Sequence, residues 1–396
     1  MAELLAHQRD GRTLRTLVLK LGCFTPVMLP VILALLALYG SGELDSVTSV
    51  VSRQHAANLN YLYGTVYSSQ TVYFKKCLAI ANTPQVMALG TSRVMQIRSC
   101  MFQGNAPFFN AGGAVSITQQ IIPFLESLPP GGQPKVILLG LDQNFFNDTW
   151  RNRTPYNRNE YGRSLEFPDD REKIINSSYQ TVIRDFLKGK VLPRRLLSKQ
   201  WRQQKIGMRA MMKDDGFRND GSYQFGSLAL PKKEQADYQF SYTFSIMRRG
   251  SDRFEHGSTV SLAGLQDVAD VLDYCCRKGL HVVGFLPPYA PGVVMKMNEM
   301  GSRYQYVWLI NSQVAPLFRH YGHSFFDFTS MPGIPCTDNE FIDGYHGSDV
   351  IYAKLLSVMA EADMVLARYV NRGGIERMLA SRVNDVMLLD DRATMQ

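Results

Sequence analysis

Two short segments, far apart in the sequence, carry the residue types of a serine-based active site. Gly90-Thr91-Ser92-Arg93 directly follows the apolar run 86–89, and Asp343-Gly344-Tyr345-His346 precedes a C-terminal helical stretch. A serine on a strand-to-helix turn exposes its hydroxyl, and the helix N-terminus behind it offers backbone N–H groups to a developing oxyanion. A histidine three residues after an aspartate can accept the serine proton while the aspartate orients its ring. Together the segments predict acyl transfer.

In this interpretation Ser92 is the nucleophile, His346 is the base and Asp343 is the acid that orients it. Each motif also has a structural interpretation, because Gly-Thr-Ser often forms a turn or a helix cap and Asp-x-x-His can cap a helix. The catalytic role of Ser92 is favoured by its position after the first buried strand. That of His346 is favoured by its loop, which is flanked by glycines and lies directly before a helix.

Candidate oxyanion donors follow two further strands. Gly112 follows the second predicted strand, where a backbone N–H without a side chain nearby could reach the substrate. Gln143 and Asn144 follow the third, and the side-chain amide of either residue could be a donor. With the backbone N–H of Ser92, these residues form the candidate oxyanion hole. The alternatives are a bare turn at Gly112 and loop capping at the amides.

Strands and helices alternate around these motifs. Strands are predicted at 86–89, 107–110, 136–141, 281–286 and 324–328, and the runs 86–89, 136–141 and 281–286 are typical of buried strands. Helical patterns occur at 91–100, 116–128, 262–278, 297–320 and 350–369. The alternation predicts an α/β fold, in which a parallel sheet has helices on both faces and functional residues lie at the C-terminal ends of its strands.

The alternation stops between residues 145 and 260, which are rich in Arg, Asn, Gly and Tyr. We interpret this stretch as an insertion over the site, able to bind an anionic or sugar chain or to remain a solvated loop. The core then has two parts, 84–144 and 261–372. Residues 373–396 are predicted to be a C-terminal tail.

Residues 1–40 predict a membrane anchor. Residues 1–20 are basic and are assigned to the cytoplasm, and residues 21–40 form an uncharged run long enough to cross a bilayer as a helix. Residues 41–83 are interpreted as a juxtamembrane stalk. A cleaved signal peptide is the alternative. Either interpretation exports the main domain, to the periplasmic side of the inner membrane in a Gram-negative cell.

The net charge and the motifs indicate which classes of partner are expected. The 396 residues carry a net charge of +8, which suits nucleic acid, an anionic membrane surface or an acidic polymer. The sequence has no nucleic-acid motif, so the last two are favoured and no nucleic-acid partner is expected. No Cys or His spacing indicates a metal site, and there is no P-loop or dinucleotide-type glycine pattern, so no cofactor is predicted.

Taken together, the motifs resemble those of the SGNH, or GDSL-type, hydrolase superfamily. The shared features are a serine after Gly-x at the first strand, a glycine after the second, a polar residue after the third and a late Asp-x-x-His. The anchor, the long insertion and the Pro-Pro after a late strand resemble its membrane-anchored acyltransferase branch, which includes the teichoic-acid D-alanylation protein DltD and the alginate-acetylation protein AlgJ. The resemblance covers Val86–Leu141 and His281–Leu366.

Two positions depart from the family pattern. Thr91 stands where GDSL hydrolases have Asp, and residues 140–143 read Gly-Leu-Asp-Gln where they have Gly-x-Asn-Asp. Carried over by position, the resemblance implies that Ser92 is the nucleophile, that His346 is the base and that Asp343 orients it. It also implies that the backbone of Ser92 and Gly112 forms the oxyanion hole, with Gln143 or Asn144 in place of the missing Asn.

The resemblance also implies an SGNH-like three-layer fold and a function. That function is serine-dependent O-acyl transfer outside the cytoplasm, such as O-acetylation of an exopolysaccharide or another cell-envelope polymer. A multipass membrane O-acyltransferase is the implied partner. Two alternatives remain open: an acyl esterase or carbohydrate deacetylase, and a non-catalytic anchored scaffold that kept the fold.

Overall fold

The computed structural model describes residues 2–56, 61–68, 70–168, 171–189, 204–235 and 237–389. Its helices are α1 (Ala2–Gly40), α2 (Val47–Ala56), α3 (Thr71–Asn82), α4 (Ile121–Glu126), α5 (Asp148–Arg153), α6 (Arg158–Glu166), α7 (Arg171–Leu187), α8 (Met208–Lys213), α9 (Ser241–Arg249), α10 (Leu262–Arg277), α11 (Pro291–Glu299), α12 (Gln305–His320), α13 (Asp349–Ala362), α14 (Met364–Ala367) and α15 (Arg372–Ala380). Its strands are β1 (Leu62–Tyr63), β2 (Val86–Leu89), β3 (Phe108–Asn110), β4 (Val136–Gly140), β5 (Lys205–Ile206), β6 (Gly216–Phe217), β7 (Tyr223–Gln224), β8 (His281–Leu286) and β9 (Ser324–Asp327).

A five-stranded parallel sheet in the order β3-β2-β4-β8-β9 lies at the centre of the fold. β2 and β4 are buried along their whole length, as expected of apolar strands covered on both faces. The predicted α/β fold with a parallel sheet surrounded by helices is confirmed. The chain winds outward in opposite directions from β2 and β4, and ligands of such sheets bind at the carboxyl ends of the strands at this reversal.

Helices pack on the sheet where side-chain size permits close approach. Gly284 in β8 lies under α12, where a Cβ atom would stand 2.2 Å from Cζ of Phe318. α10 packs beside β8 and is capped by Ser261, whose hydroxyl accepts the N–H of Gly264 at 3.2 Å. Its bounds agree with the helix predicted over 262–278, because a good N-cap and a regular apolar face act together there.

The helix predicted over 91–100 is absent. Two 3₁₀ turns, Ser92–Val94 and Ser99–Met101, take its place. The buried side chain of Asn110 donates through Nδ2 to the carbonyls of Val94 and Ile97, each at 2.8 Å. These carbonyls would otherwise accept the next N–H groups of a helix. A remote amide therefore stabilises a compact loop at the end of β2.

Three other predicted helices are shorter or divided. The segment 116–128 contains a 3₁₀ turn followed by α4. The segment 297–320 contains the end of α11 and all of α12, separated by a 3₁₀ turn that starts at Gly301, which has φ of +58°. The segment 350–369 is divided at Asp363. Its Oδ1 caps α14 by accepting the N–H of Leu366 at 2.8 Å, and its Oδ2 accepts the hydroxyl of Ser324 at 2.6 Å.

The sequence predicts a stalk over 41–83, but the described residues of this range belong to the folded body. α3 buries Phe74 and Leu78 in the main core. Lys75 is also buried and donates from Nζ to the carbonyls of Asn110, at 2.8 Å, and Gly221. Burial lowers the pKa of Lys75 to about 7. β1 pairs with β5 and β6 of the insertion in a small sheet, which ties the predicted stalk to that insertion.

The end of α1 is joined to the same body by Glu43. Its buried carboxylate accepts the N–H groups of Val66 at 2.7 Å, Tyr67 at 2.6 Å and Met208 at 2.9 Å. Burial raises the pKa of Glu43, although these hydrogen bonds oppose the rise. Just before it, α1 packs against α7. The carboxylate therefore fixes the end of α1 to two separate parts of the chain.

Among the described residues, no helix combines the length and the apolar character that crossing a bilayer requires. The assignment of residues 1–20 to the cytoplasm and of 21–40 to the bilayer stays a prediction.

Part of the tail predicted from residue 373 packs on the core. Ile375 and Leu388 are buried, and the N–H of Leu388 donates to Asp349 Oδ1 at 3.0 Å. The other oxygen of Asp349 accepts from the buried Arg98 at 3.1 Å. This ion pair holds the segment after α15 in place. Residues 390–396 lie outside the described residues.

Candidate active site

The two motifs predicted to form one site meet in the structure, although 254 residues separate Ser92 from His346. Ser92 follows β2 and begins a 3₁₀ turn that Thr91 caps by accepting the N–H of Arg93 at 3.2 Å. The Oγ of Ser92 lies 2.9 Å from Nε2 of His346. This is hydrogen-bonding distance between a nucleophile and its base.

Asp343 lies on the other side of the imidazole ring. Its Oδ2 and Oδ1 are 2.8 Å and 3.0 Å from Nδ1 of His346. Oδ1 also accepts the backbone N–H groups of Tyr345 at 2.8 Å and His346 at 2.7 Å, so the turn itself fixes the carboxylate. We call Ser92, His346 and Asp343 the triad.

The environment of Asp343 favours its ionised form. Burial by itself raises the pKa of this carboxyl. The charge and the hydrogen bond of the His346 ring, together with the two backbone N–H groups, outweigh burial and lower the pKa below its usual value. An ionised Asp343 holds the proton of His346 on Nδ1, so Nε2 is the acceptor that faces Ser92.

Gly112 does not have the predicted role. Its N–H donates to Oδ1 of Asn110 at 2.8 Å and is not directed at the triad. A Cβ atom at this position would lie 2.7 Å from the same oxygen and 2.9 Å from Cγ2 of Val94. The glycine is therefore needed for close packing of the loop after β3.

Gln143 is also fully engaged by its neighbours. Its Nε2 donates to the carbonyl of Pro287 at 2.8 Å and to Oγ1 of Thr329 at 3.0 Å, and its Oε1 accepts from Arg93 at 2.5 Å. All three contacts are buried. The side chain links the ends of β4 and β8 and has no N–H left for a substrate.

Asn144 is the predicted amide that keeps a donor available. The side chain is buried, and its Oδ1 lies 3.2 Å from the hydroxyl of Tyr345, the residue before His346. Its Nδ2 has no hydrogen-bond partner in the part of the chain that the structure describes. Because a buried unpaired N–H is costly, this amide is the predicted side-chain donor that is still free to bind an oxyanion, and its role stays a prediction. The backbone N–H of Ser92 likewise has no hydrogen-bond acceptor among the described residues.

Thr91, which precedes the predicted nucleophile, links two strand ends through its hydroxyl. Its Oγ1 donates to Oδ2 of Asp142 at 2.8 Å, and the hydroxyl of Tyr345 approaches the same oxygen at 2.6 Å. Thr91 follows β2 and Asp142 follows β4, which are the strands on either side of the winding reversal. The hydroxyl therefore ties the serine turn to the neighbouring strand end.

Arg93 is a site residue that the sequence did not reveal. Its buried guanidinium donates to the carbonyls of Pro287-Pro288 at 3.0 Å and 2.6 Å and to Gln143. It also lies 4.3 Å and 4.6 Å from the ring centres of Tyr345 and Tyr289. Arg93 thus joins the loops after β2, β4 and β8 to the loop of His346. The signals available were its position next to Ser92 and the Pro-Pro pair, and neither indicates burial.

An open groove of about 860 Å³ begins beside Asp343 and His346. Most of its wall comes from the predicted insertion, which lies next to the triad. The lining residues of that insertion are Trp150, Arg153, Thr154, Asp237, Tyr242, Thr243, Ile246, Ser251, Asp252, Arg253, Phe254 and Glu255. Asp237 connects the two sides, because its carboxylate accepts from Oγ1 of Thr243 at 2.5 Å and from the N–H of Gly344 at 3.4 Å.

No protein family, curated protein or solved structure matched the chain. Among the described residues, no group of three or more His, Cys, Asp and Glu side chains could hold a metal ion. Chemical interpretation therefore depends on the geometry of the triad. A hydroxyl, an imidazole and a carboxylate in this order can perform nucleophilic acyl transfer.

Proposed function

We propose that this chain is an SGNH-type, serine-dependent O-acyltransferase that acts outside the cytoplasm on a polysaccharide or another cell-envelope polymer. The observation that carries the proposal is the 2.9 Å contact between Ser92 Oγ and His346 Nε2, with Asp343 on the opposite ring nitrogen. The position of both loops at the winding reversal of a parallel sheet supports it.

The first step forms an acyl-enzyme. Ser92 Oγ attacks the carbonyl carbon of an acyl donor while His346 Nε2 takes its proton. The N–H of Ser92 and Nδ2 of Asn144 stabilise the negative charge on the carbonyl oxygen. When the tetrahedral intermediate collapses, the bond to the leaving group breaks and His346 returns the proton to that group.

The second step transfers the acyl group. A hydroxyl of the acceptor gives its proton to His346 and attacks the ester carbon of acyl-Ser92. The ester bond to Oγ breaks, and His346 protonates Oγ, which regenerates Ser92. Water in place of the acceptor gives hydrolysis, the reaction of the alternative esterase.

The resemblance to the membrane-anchored acyltransferase branch also suggests where the protein acts and which partner supplies the acyl group. Residues 21–40 would anchor the chain with the triad outside the cytoplasm. A multipass membrane O-acyltransferase would pass an acyl group, such as acetyl, outward to Ser92. The acceptor polymer would then occupy the groove beside His346.

Fluorophosphonate labelling of the full-length protein in mild detergent tests the proposal. We expect one modified serine, located at Ser92 by peptide mass spectrometry, and no labelling of Ser92→Ala. Ser99→Ala is the matched control, because Ser99 is exposed in the same loop, and it should be labelled like the wild type. Since the groove is open beside the triad, a wild type that resists labelling would favour the non-catalytic scaffold.

Transferase and hydrolase are separated by the product formed from p-nitrophenyl acetate. With a trisaccharide present, a transferase yields acetylated trisaccharide in preference to acetate, and the yield depends on Ser92. Release of acetate alone, at a rate that added glycans do not change, would support the esterase.

Replacing Asn144 by alanine should lower the rate of Ser92 acylation by about 10²–10³-fold, the usual cost of losing one oxyanion donor. The melting temperature should fall only modestly, because the one described hydrogen bond of this side chain is the 3.2 Å contact of Oδ1 with the Tyr345 hydroxyl. Stopped-flow bursts with p-nitrophenyl acetate measure the rate. The exposed Asn152→Ala variant is the control, and a rate for Asn144→Ala within threefold of the wild type would exclude the donor role.

A further inference from the structure

Residues 340–349 form the loop that carries the acid and the base of the triad, and we call them the acid–base loop. The N–H of Ile342 donates to the carbonyl of His346 at 2.9 Å, which closes the loop into a compact turn. Glu340 and Asp349 stand at its two ends, and each residue is 4% exposed. Because a buried carboxylate is costly unless its charge is paired, both ends need fixed partners.

A buried ion pair joins the acid–base loop to the loop of the nucleophile. Oδ2 of Asp349 accepts from the Arg98 guanidinium at 3.1 Å, and the exposed fractions of the two side chains are 5% and 7%. Arg98 lies in the loop that follows Ser92, between its two 3₁₀ turns. Asp349 begins α13, the helix that follows His346. The two halves of the site are therefore linked a second time, in addition to the contact between Ser92 and His346.

The segment after α15 contacts both ends of the acid–base loop, and we call residues 382–388 the C-terminal segment. At one end Arg382 pairs with Oε1 of Glu340 at 3.0 Å. At the other end the N–H of Leu388 donates to Oδ1 of Asp349 at 3.0 Å. The two oxygens of Asp349 are thus shared between the loop that follows the nucleophile and the C-terminal segment.

An apolar contact lies between these two polar contacts along the segment. Val386 is 3% exposed and belongs to a small apolar cluster with Leu228 and Ile342, which are also buried. Ile342 is the residue before Asp343, so this cluster ties the C-terminal segment to the start of the turn that carries the triad acid. The segment therefore holds the acid–base loop at its start, at its end and beside the acid.

We infer that the Arg98–Asp349 ion pair and the C-terminal segment position the triad. They fix the acid–base loop against the loop of the nucleophile, and therefore the base against the serine. None of them is among the described residues that line the groove, so they act on the geometry of the triad and not on the substrate. A displacement of about 1 Å at a catalytic group can cost about 100-fold in rate. The inference rests on the proposed function for the reaction at Ser92.

Asp349→Asn in the full-length protein should lower the rate of Ser92 acylation about 10- to 100-fold. The amide keeps the size of the side chain and an acceptor for the Leu388 N–H, but it no longer pairs with the Arg98 cation. Stopped-flow bursts with p-nitrophenyl acetate give the acylation rate and the dissociation constant of the ester separately. We expect the dissociation constant to stay within about twofold of the wild type, because the ion pair lies outside the groove.

Val386→Asp tests the C-terminal segment. A charge in the apolar cluster should displace the segment, and we expect acylation to be slower by about tenfold or more. Val383→Asp is the matched control, because Val383 is 50% exposed in the same segment, and it should keep the wild-type rate. Arg382 is a weaker choice for this test, because Lys354 also pairs with Glu340, at 2.8 Å.

Asp363→Asn separates positioning from loss of stability. Asp363 is also a buried aspartate at the start of a helix, but it accepts from His281 at 2.8 Å, at the end of the sheet opposite the triad. It should lower the midpoint of urea unfolding as Asp349→Asn does, yet keep the acylation rate within about twofold of the wild type. Arg98→Lys, which keeps a cation, should lose less of the rate than Arg98→Met.

Two results would overturn the inference. One is equal slowing by Asp349→Asn and Asp363→Asn, because both variants would then act through stability alone. The other is a wild-type rate in both Asp349→Asn and Val386→Asp. If Asp349→Asn does not fold, Val386→Asp and Arg98→Lys decide by the same measurements.

The position of the His346 ring is also observable without turnover. In ¹⁵N-histidine spectra of the full-length protein, its signal is identified by its absence from His346→Ala. The signal should shift in Asp349→Asn and Val386→Asp, but not in Asp363→Asn or Val383→Asp. A wild type that resists fluorophosphonate but shows these shifts would refute the proposed chemistry and support the positioning. A labelled wild type whose His346 signal stays unchanged in Asp349→Asn and Val386→Asp would refute the positioning alone.

Discussion

Replacing His346 by alanine is expected to lower the rate of Ser92 acylation on the order of 10⁴-fold or more. The serine hydroxyl is a poor nucleophile unless a base removes its proton, and the proposed base, His346 Nε2, lies 2.9 Å from Ser92 Oγ. The double variant Ser92→Ala/His346→Ala should be no slower than either single variant, because the two groups act as one unit. Single-turnover kinetics with p-nitrophenyl acetate measure these rates.

The control for this prediction is His320→Ala, which removes an exposed imidazole at the end of α12. It should retain the wild-type rate. Asp343→Asn should lie between the wild type and His346→Ala, since it preserves shape but no longer stabilises the imidazolium. A His346→Ala variant that keeps a tenth or more of the wild-type rate would remove the basis of the proposed mechanism.

Replacing Arg93 by methionine is expected to lower the free energy of unfolding by about 3–5 kcal/mol, the cost of breaking a buried charged network. The variant leaves the carbonyl of Pro288 and Oε1 of Gln143 without their described donor, and the carbonyl of Pro287 keeps only the bond from Gln143. It also removes the guanidinium that stacks on Tyr345, so labelling of Ser92 should slow as well. Urea unfolding of the full-length protein measures the stability.

Two comparisons make this second prediction specific. Arg277→Met removes an arginine whose side chain is 67% exposed, and should change the unfolding free energy by about 0.5 kcal/mol or less. Arg93→Lys keeps the charge but cannot serve the same acceptors with one planar group, and should recover only part of the loss. A loss below 1 kcal/mol in Arg93→Met would mean that the cluster repacks without its cation.

The central sheet could be predicted because a buried parallel strand needs only a continuous apolar run. β2 and β8 match the predicted ranges 86–89 and 281–286 for this reason. The loop after β2 could not be predicted. Its shape depends on Asn110, an amide that reaches it from the neighbouring strand, and local helix periodicity contains no record of that contact.

The candidate site also has one part that could be predicted from the sequence and one part that could not. The pairing of Ser92 with His346 followed from chemistry, since few arrangements place a serine, an imidazole and a carboxylate at strand ends. The oxyanion donors could not be predicted in this way, because the availability of an N–H group depends on hydrogen-bond partners that are remote in sequence. Asn110 takes the N–H of Gly112 and Pro287 takes that of Gln143, which leaves Asn144.

The hydrogen bonds of Glu43 restrict how far α1 can move relative to the rest of the fold. Because the Glu43 carboxylate accepts three backbone N–H groups, the link between α1 and the body that carries the triad is rigid and not a flexible linker. If residues 21–40 of α1 are the anchor proposed above, Ser92 is held at a fixed distance from the bilayer. It cannot then move far from the membrane surface to reach a partner. Both the acyl donor and the growing polymer must then be delivered to that distance from the bilayer.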